Sequence, residues 1–275
     1  MSATQAALEW RALKPEIGAE VAASKAELLG GDYADEIREL LEQRGVLVFP
    51  RVDFSSEEQV IFTRTLGTFV ADTADETAYA VTMDPSSRSA ELLKGSFYWH
   101  FDGYMNEVPI RASIMSCRVP APSGGETEFC NTYAAWDALP DAQKRQLEGL
   151  RVVHALASAQ LTVEPEPSYA TFQQWLKVPR ATLPLVWTHR SGRKSLVIGN
   201  SAVNVLDFDP LEGLELLVWL RDWATQEPFT YSHSWSAGDA VIWDNTGTLH
   251  RARPYDPASG RLMLRTKLAG EEPVA

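Results

Sequence analysis

The segment Tyr98-Trp99-His100-Phe101-Asp102-Gly103 places an imidazole and a carboxylate two residues apart. On an extended chain, side chains two apart leave the same face, so both can reach one ion. A second imidazole, His250, ends the peptide Asp244-Asn245-Thr246-Gly247-Thr248-Leu249-His250, directly after the apolar run 240–243. Two histidines and one carboxylate form a facial set that leaves three octahedral positions open. A non-haem iron(II) oxygenase needs those positions for a bidentate co-substrate and dioxygen. His-x-Asp alone is a weak signal, because a chain with five histidines and 37 acidic residues generates such pairs by accident. A zinc hydrolase can use the same three ligands, but it wants a general base nearby.

Further motifs add specificity. Trp99-His100-Phe101-Asp102 is followed by Gly124-Gly125-Glu126-Thr127, and Trp243-Asp244-Asn245 precedes His250. Arg261 stands eleven residues after His250, and Arg265 four further. In motif order, from about Val46 to Lys267, the chain resembles the taurine dioxygenase family, which includes chlorophenoxyacetate dioxygenase. The resemblance implies a double-stranded β-helix (jelly-roll) core and iron(II) held by His100, Asp102 and His250. It also implies 2-oxoglutarate and dioxygen as co-substrates, with succinate and carbon dioxide released as a small to medium organic acid is oxidised. Arg261 would fork onto the distal carboxylate of 2-oxoglutarate, which Thr127 would also contact, and Arg265 would meet an anionic group of the substrate.

The neighbouring residues refine these expectations. Gly124 and Gly125 suit a turn that brings Thr127 close. Asp244 and Asn245 read as turn residues that orient His250. If the chain is extended from Tyr98 onward, Tyr98 and Tyr104 share the ligands' face and line the pocket, while Trp99 and Phe101 point away. Phe101 stands where the family often has a small polar residue. The expected substrate is therefore anionic with an apolar part, bulkier than taurine. His154, His189 and His233 lack an acid two residues on and read as core or surface histidines.

The elements that must position these groups are mainly β with flanking helices, an α+β chain of sandwich or barrel type. Apolar residues at helical spacing predict a helix over 33–44, stopped by Gly45, with a buried strand at 46–49. Ser55 and Glu58 form a capping box ahead of a helix over 59–66, so helical elements occupy about 32–67. The polar stretch 84–95 predicts a loop, part of an active-site loop over about 71–96. Strands are expected at 112–119, 183–188, 195–198 and 240–243, and a helix at 211–225. Residues 1–275 are expected to form one oxygenase domain.

A formal charge of -12 opposes a phosphate backbone, which excludes nucleic acid as a partner. No apolar run is long enough for a membrane span, and no basic segment precedes an apolar one at the start. Cys117 and Cys130 are too few for a disulfide framework, so free thiols in a cytoplasmic protein are expected. Family members commonly associate, making a homo-oligomer a further expectation. The competing class is a non-catalytic jelly-roll protein that binds a small anionic ligand. A halogenase on the same fold would want a small residue in place of Asp102.

Overall fold

The computed structural model describes residues 7–72, 74–84 and 93–275. Its largest sheet has the path Glu9–Ala12, Ala19–Ala22, Val46–Phe49, Ala240–Asp244, Ala112–Val119, Leu262–Leu268 and Phe69–Val70, with Tyr79–Val81 also paired to Leu262–Leu268. A second sheet places Thr127–Asn131 between Thr230–His233 and Thr248–Ala252.

Alternation along the central strands explains how the layers meet. Leu47, Phe49, Ala240 and Ile242 face the N-terminal helices, where they join Ile37, Leu40, Phe62 and Leu66. Val46, Val48, Val241 and Trp243 face the second sheet and pack on Phe129. With one face against helices and the other against a sheet, both sets of side chains are buried. These strands therefore read as continuous apolar runs rather than alternating ones.

The helix over Ala34–Arg44 ends at Gly45, whose φ of 71° suits the glycine there. The Ser55/Glu58 capping box forms as expected, and the helix Ser56–Leu66 follows it. That helix drives Phe62 between Phe49 and Phe54, with ring centroids 5.5 and 5.2 Å away. It also buries two polar residues in the sheet. Gln59 Nε2 donates to the Ile114 carbonyl at 3.1 Å, and Thr63 and Thr266 share a hydroxyl bond of 2.7 Å. Satisfied buried polar groups fix position more sharply than apolar contact alone. They lock the helix onto the strand that carries Arg265.

Two expectations need correction. The loop over 71–96 contains a strand, Tyr79–Val81, paired with Met263–Arg265; residues 85–92 of that stretch lie outside the described residues. The run 183–188 is two strands, Ala181–Pro184 and Val186–Thr188, in different sheets. Pro184 has no N–H for a continuing ladder, and the intervening Leu185 turns its own N–H to the Leu150 carbonyl at 2.8 Å.

A third core gathers Trp99, Phe101, Tyr104, Leu217 and Leu220 among others. His154 is fully buried beside it, edge-on to Phe101 and stacked on Tyr104, with Nδ1 2.9 Å from the Ser201 hydroxyl. Burial pushes its pKa down to about 4. Between about pH 6.5 and 4 the unfolded chain therefore binds a proton at His154 that the folded chain refuses, and stability falls as pH falls through that window. In metal-free protein this one group should remove about 2 kcal/mol of unfolding free energy between pH 7 and pH 5. Urea unfolding at the two pH values measures it, and His154→Gln should shrink the difference by that amount.

Candidate metal centre

The two histidines are brought together by the main chain. His100 and His250 form an antiparallel bridge, with His100 N–H to His250 O at 3.1 Å and the reverse bond at 2.9 Å. His250 lies on Thr248–Ala252, held opposite Phe129 by the second sheet. The imidazole centroids are 4.1 Å apart, and Trp243 lies 4.8 Å from the His250 ring.

Asp102 arrives differently. The chain leaves the bridge after His100 and turns over Asp102–Met105, with Gly103 at φ 78°. The Asp102 carboxylate still faces both rings, 3.9 Å from His100 Nε2 and 3.8 Å from His250 Nε2. These distances exceed hydrogen-bonding range. One ligand atom from each residue lies within 4.8 Å of the others, and this is the only such cluster of three among the described residues. His100 Nδ1 donates to the Tyr98 carbonyl at 2.8 Å, which leaves its Nε2 lone pair free towards Asp102.

The electrostatics keep this set ready for a cation. Burial and His100 push the His250 pKa down to about 3, against the pull of Asp102. Burial would raise Asp102, but His250, Arg265, His100 and Lys267 together hold it down at about 2. His250 is uncharged at neutral pH, so Arg265 and Lys267 are standing cations that favour the carboxylate there. Two nitrogen donors and an ionised carboxylate suit a divalent first-row metal, and the exposed lone pairs fit iron(II).

From the histidines a cavity runs past Met115 and Trp243 to Thr127, Arg261 and Arg265, walled by Val81, Leu93 and Tyr255. Arg261 is 4% exposed, lies over the Tyr255 ring at 4.7 Å and donates to the Gly125 carbonyl at 3.1 Å. Its buried Nε has no hydrogen-bond partner among the described residues. Thr127 Oγ1 accepts from the Trp235 indole at 3.0 Å, so its own proton is available to an anion. Arg265 sits over Tyr79 at 5.5 Å and meets Asp72 at 3.4 Å.

The glycine pair has a steric basis. Both have φ above 70° or at it, and a Cβ on Gly124 would lie 2.2 Å from the Pro254 carbonyl oxygen. On Gly125 it would press the Arg261 Nε at 3.1 Å.

Several residues lie elsewhere than the extended-chain reading places them. Tyr98 is 40% exposed and borders a separate cleft of about 470 Å³ beside the helix Pro210–Ala224. Tyr104 is buried against His154 in the third core. The turn after His100 ends the alternation on which the placement of Tyr104 depended, and Tyr98 directly follows the short helix Lys94–Phe97. Trp99 and Phe101 do point away from the ligands, into that core. Arg251 stacks on Trp99 at 4.5 Å, pairs with Glu128 at 2.6 Å and borders both cavities. The cavity beside the two histidines is the smaller one, about 60 Å³, and Arg251, Arg261 and Arg265 line it.

Asp244 does not contact His250. It meets Arg111 at 3.5 Å, the Tyr133 hydroxyl at 3.3 Å and the Thr246 hydroxyl at 2.6 Å. Asn245 bonds the Asp102 main chain instead. His189 is bonded to Glu272 and Ser195, and His233 to Tyr231. Trp235, Tyr255 and Asp72 were not legible as site residues, because each meets Thr127, Arg261 or Arg265 only through tertiary packing.

Residues 9–267 match the description of the taurine catabolism dioxygenase TauD, TfdA family. The chain is 38% identical over 259 residues to an alpha-ketoglutarate-dependent 2,4-dichlorophenoxyacetate dioxygenase of Cupriavidus pinatubonensis, covering 87% of this chain and 89% of the relative. It is 33% identical to an (S)-phenoxypropionate/alpha-ketoglutarate-dioxygenase of Sphingobium herbicidovorans, with 82% of each covered. The crystal structure of AAD-2 in complex with Mn(II) and N-oxalylglycine superposes with a TM-score of 0.83 at 30% identity, over 98% of this chain and 100% of that one. With these likenesses added to the jelly-roll sandwich and its two-histidine, one-carboxylate cluster, the chain belongs to the TauD/TfdA family of 2-oxoglutarate-dependent dioxygenases.

Proposed function

We propose that this chain uses iron(II), 2-oxoglutarate and dioxygen to oxidise an aryloxyalkanoic or similarly apolar carboxylic acid, with hydroxylation as the outcome. The observation that carries this reading is one cavity lined by both histidines of the two-histidine, one-carboxylate cluster and by Thr127, Arg261 and Arg265. The relatives named for dichlorophenoxyacetate and phenoxypropionate support the substrate class.

Bound at His100, Asp102 and His250, iron(II) with 2-oxoglutarate would supply the oxidising chemistry, with succinate and carbon dioxide as co-products. The protein's own groups bind and orient. The planar fork of Arg261, with an unpartnered Nε, is free to take the distal carboxylate of the co-substrate, and Thr127 to donate its hydroxyl proton to the same group. Arg265 is assigned to the carboxylate of the primary substrate, which would take over the place of Asp72. Val81, Leu93 and Met115 would face its apolar body and limit water at the reacting carbon. Such a reaction asks the protein for position rather than for a general base. We assign the protein to the cytoplasm, in keeping with its two buried free thiols, and expect a homo-oligomer. Among the described residues no helix is long and apolar enough to cross a membrane.

Two measurements test this. Under anaerobic conditions, iron(II) plus 2-oxoglutarate should give a visible charge-transfer band that His100→Ala abolishes, and a phenoxyalkanoic acid should stimulate succinate release more than taurine does. No band from the unaltered protein would overturn the proposal. Arg261→Ala should weaken 2-oxoglutarate binding roughly 30-fold or more, about 2 to 5 kcal/mol. Arg265→Ala should mainly raise the KM for the acid substrate. Equal effects of the two changes on 2-oxoglutarate titration would refute the division of roles.

A further inference from the structure

The three ligands are not positioned by the same means. His100 and His250 are registered by mutual main-chain bonds, whereas Asp102 lies two residues beyond the bridge, in a turn. A turn has no ladder to hold it, so its backbone polar groups need other partners. Here both come from one side chain. Asn245 Oδ1 accepts the Asp102 N–H at 2.8 Å, and Asn245 Nδ2 donates to the Asp102 carbonyl at 2.9 Å. The second amide proton goes to the Ile110 carbonyl at 3.1 Å, where the turn rejoins the sheet.

Asn245 is itself rigidly placed. It is 1% exposed and directly follows the central strand Ala240–Asp244, and its own N–H donates to the Arg111 carbonyl at 3.0 Å. We propose that Asn245 is the positioning residue for the metal-binding carboxylate, gripping the main chain of Asp102 on both sides. The inference rests on the assignment of His100, Asp102 and His250 as metal ligands. Only a primary amide on a single methylene offers an acceptor and two donors at this reach. Aspartate would keep the acceptor but set a second oxygen against the Asp102 and Ile110 carbonyls, and alanine would leave three buried groups unpaired. Released from this grip, Asp102 would sample positions away from the histidines, and metal affinity would fall while the histidine bridge persisted.

The test is a Mn(II) titration of metal-free protein, following loss of the free-ion EPR signal. Asn245→Ala and Asn245→Asp should each raise the Mn(II) Kd by 10- to 100-fold, the range seen when groups behind metal ligands are removed. Circular dichroism and the metal-free Tm report separately on folding. A folded Asn245→Ala variant with the unaltered Kd overturns the inference. Asp102→Ala is the control: if it binds Mn(II) as tightly as the unaltered protein, the ligand assignment itself fails. A tight Asn245→Ala beside a weak Asp102→Ala sinks the positioning role alone. Should neither Asn245 variant fold, residue-resolved hydrogen exchange of the unaltered metal-free protein decides. The Asp102 amide should be protected to the level of the His250 amide, and exchange at loop rates would overturn the proposal.

Discussion

The pair of main-chain hydrogen bonds between His100 and His250 is the constraint on which the rest of the site depends. A bridge of this kind fixes two side chains on one face without asking anything of the side chains themselves. The imidazoles can then turn their lone pairs to a common point, with His100 oriented through Tyr98. Because His250 also belongs to the second sheet and Trp243 to the first, the candidate metal face is anchored to both layers of the sandwich. Movement between the layers would displace the ligands.

Charge is arranged around that anchor with a clear polarity. Asp102 stays ionised because cations outweigh the cost of its burial, while burial keeps His250 uncharged at neutral pH. Arg261 and Arg265 line the same cavity as the two histidines, and the strand that carries Arg265 is locked by Gln59 and Thr63 of the capped helix. A dicarboxylate that chelates a cation at one end and pairs with guanidinium at the other matches this layout. The same local physics, strand register plus buried polar locks, builds both ends.

The secondary elements were legible where a single local rule governs them. Ser55 with Glu58 and Gly45 after Arg44 marked helix ends that the structure reproduces, because capping depends on nearest neighbours. The runs at 112–119 and 240–243 were legible because burial on both faces leaves an unbroken apolar signature. Tyr79–Val81 was not legible: so short a run becomes a strand only because Leu262–Leu268 offers an edge. Tyr104 was misplaced for a related reason. Two-residue alternation was carried past His100 into a turn where it has no force.

Sequence by itself determined the candidate ligand residues, their family-like intervals and the two arginines that follow His250, since these are matters of chemical identity and order along the chain. It also determined the formal charge of -12. Only the tertiary structure decided that Asn245 grips Asp102 rather than orienting His250, that Trp235 frees the Thr127 proton, and that Asp72 holds Arg265. Those partners are 143, 108 and 193 residues apart. Across such separations local preference carries no information, and the contact exists only because the sheets have already paired.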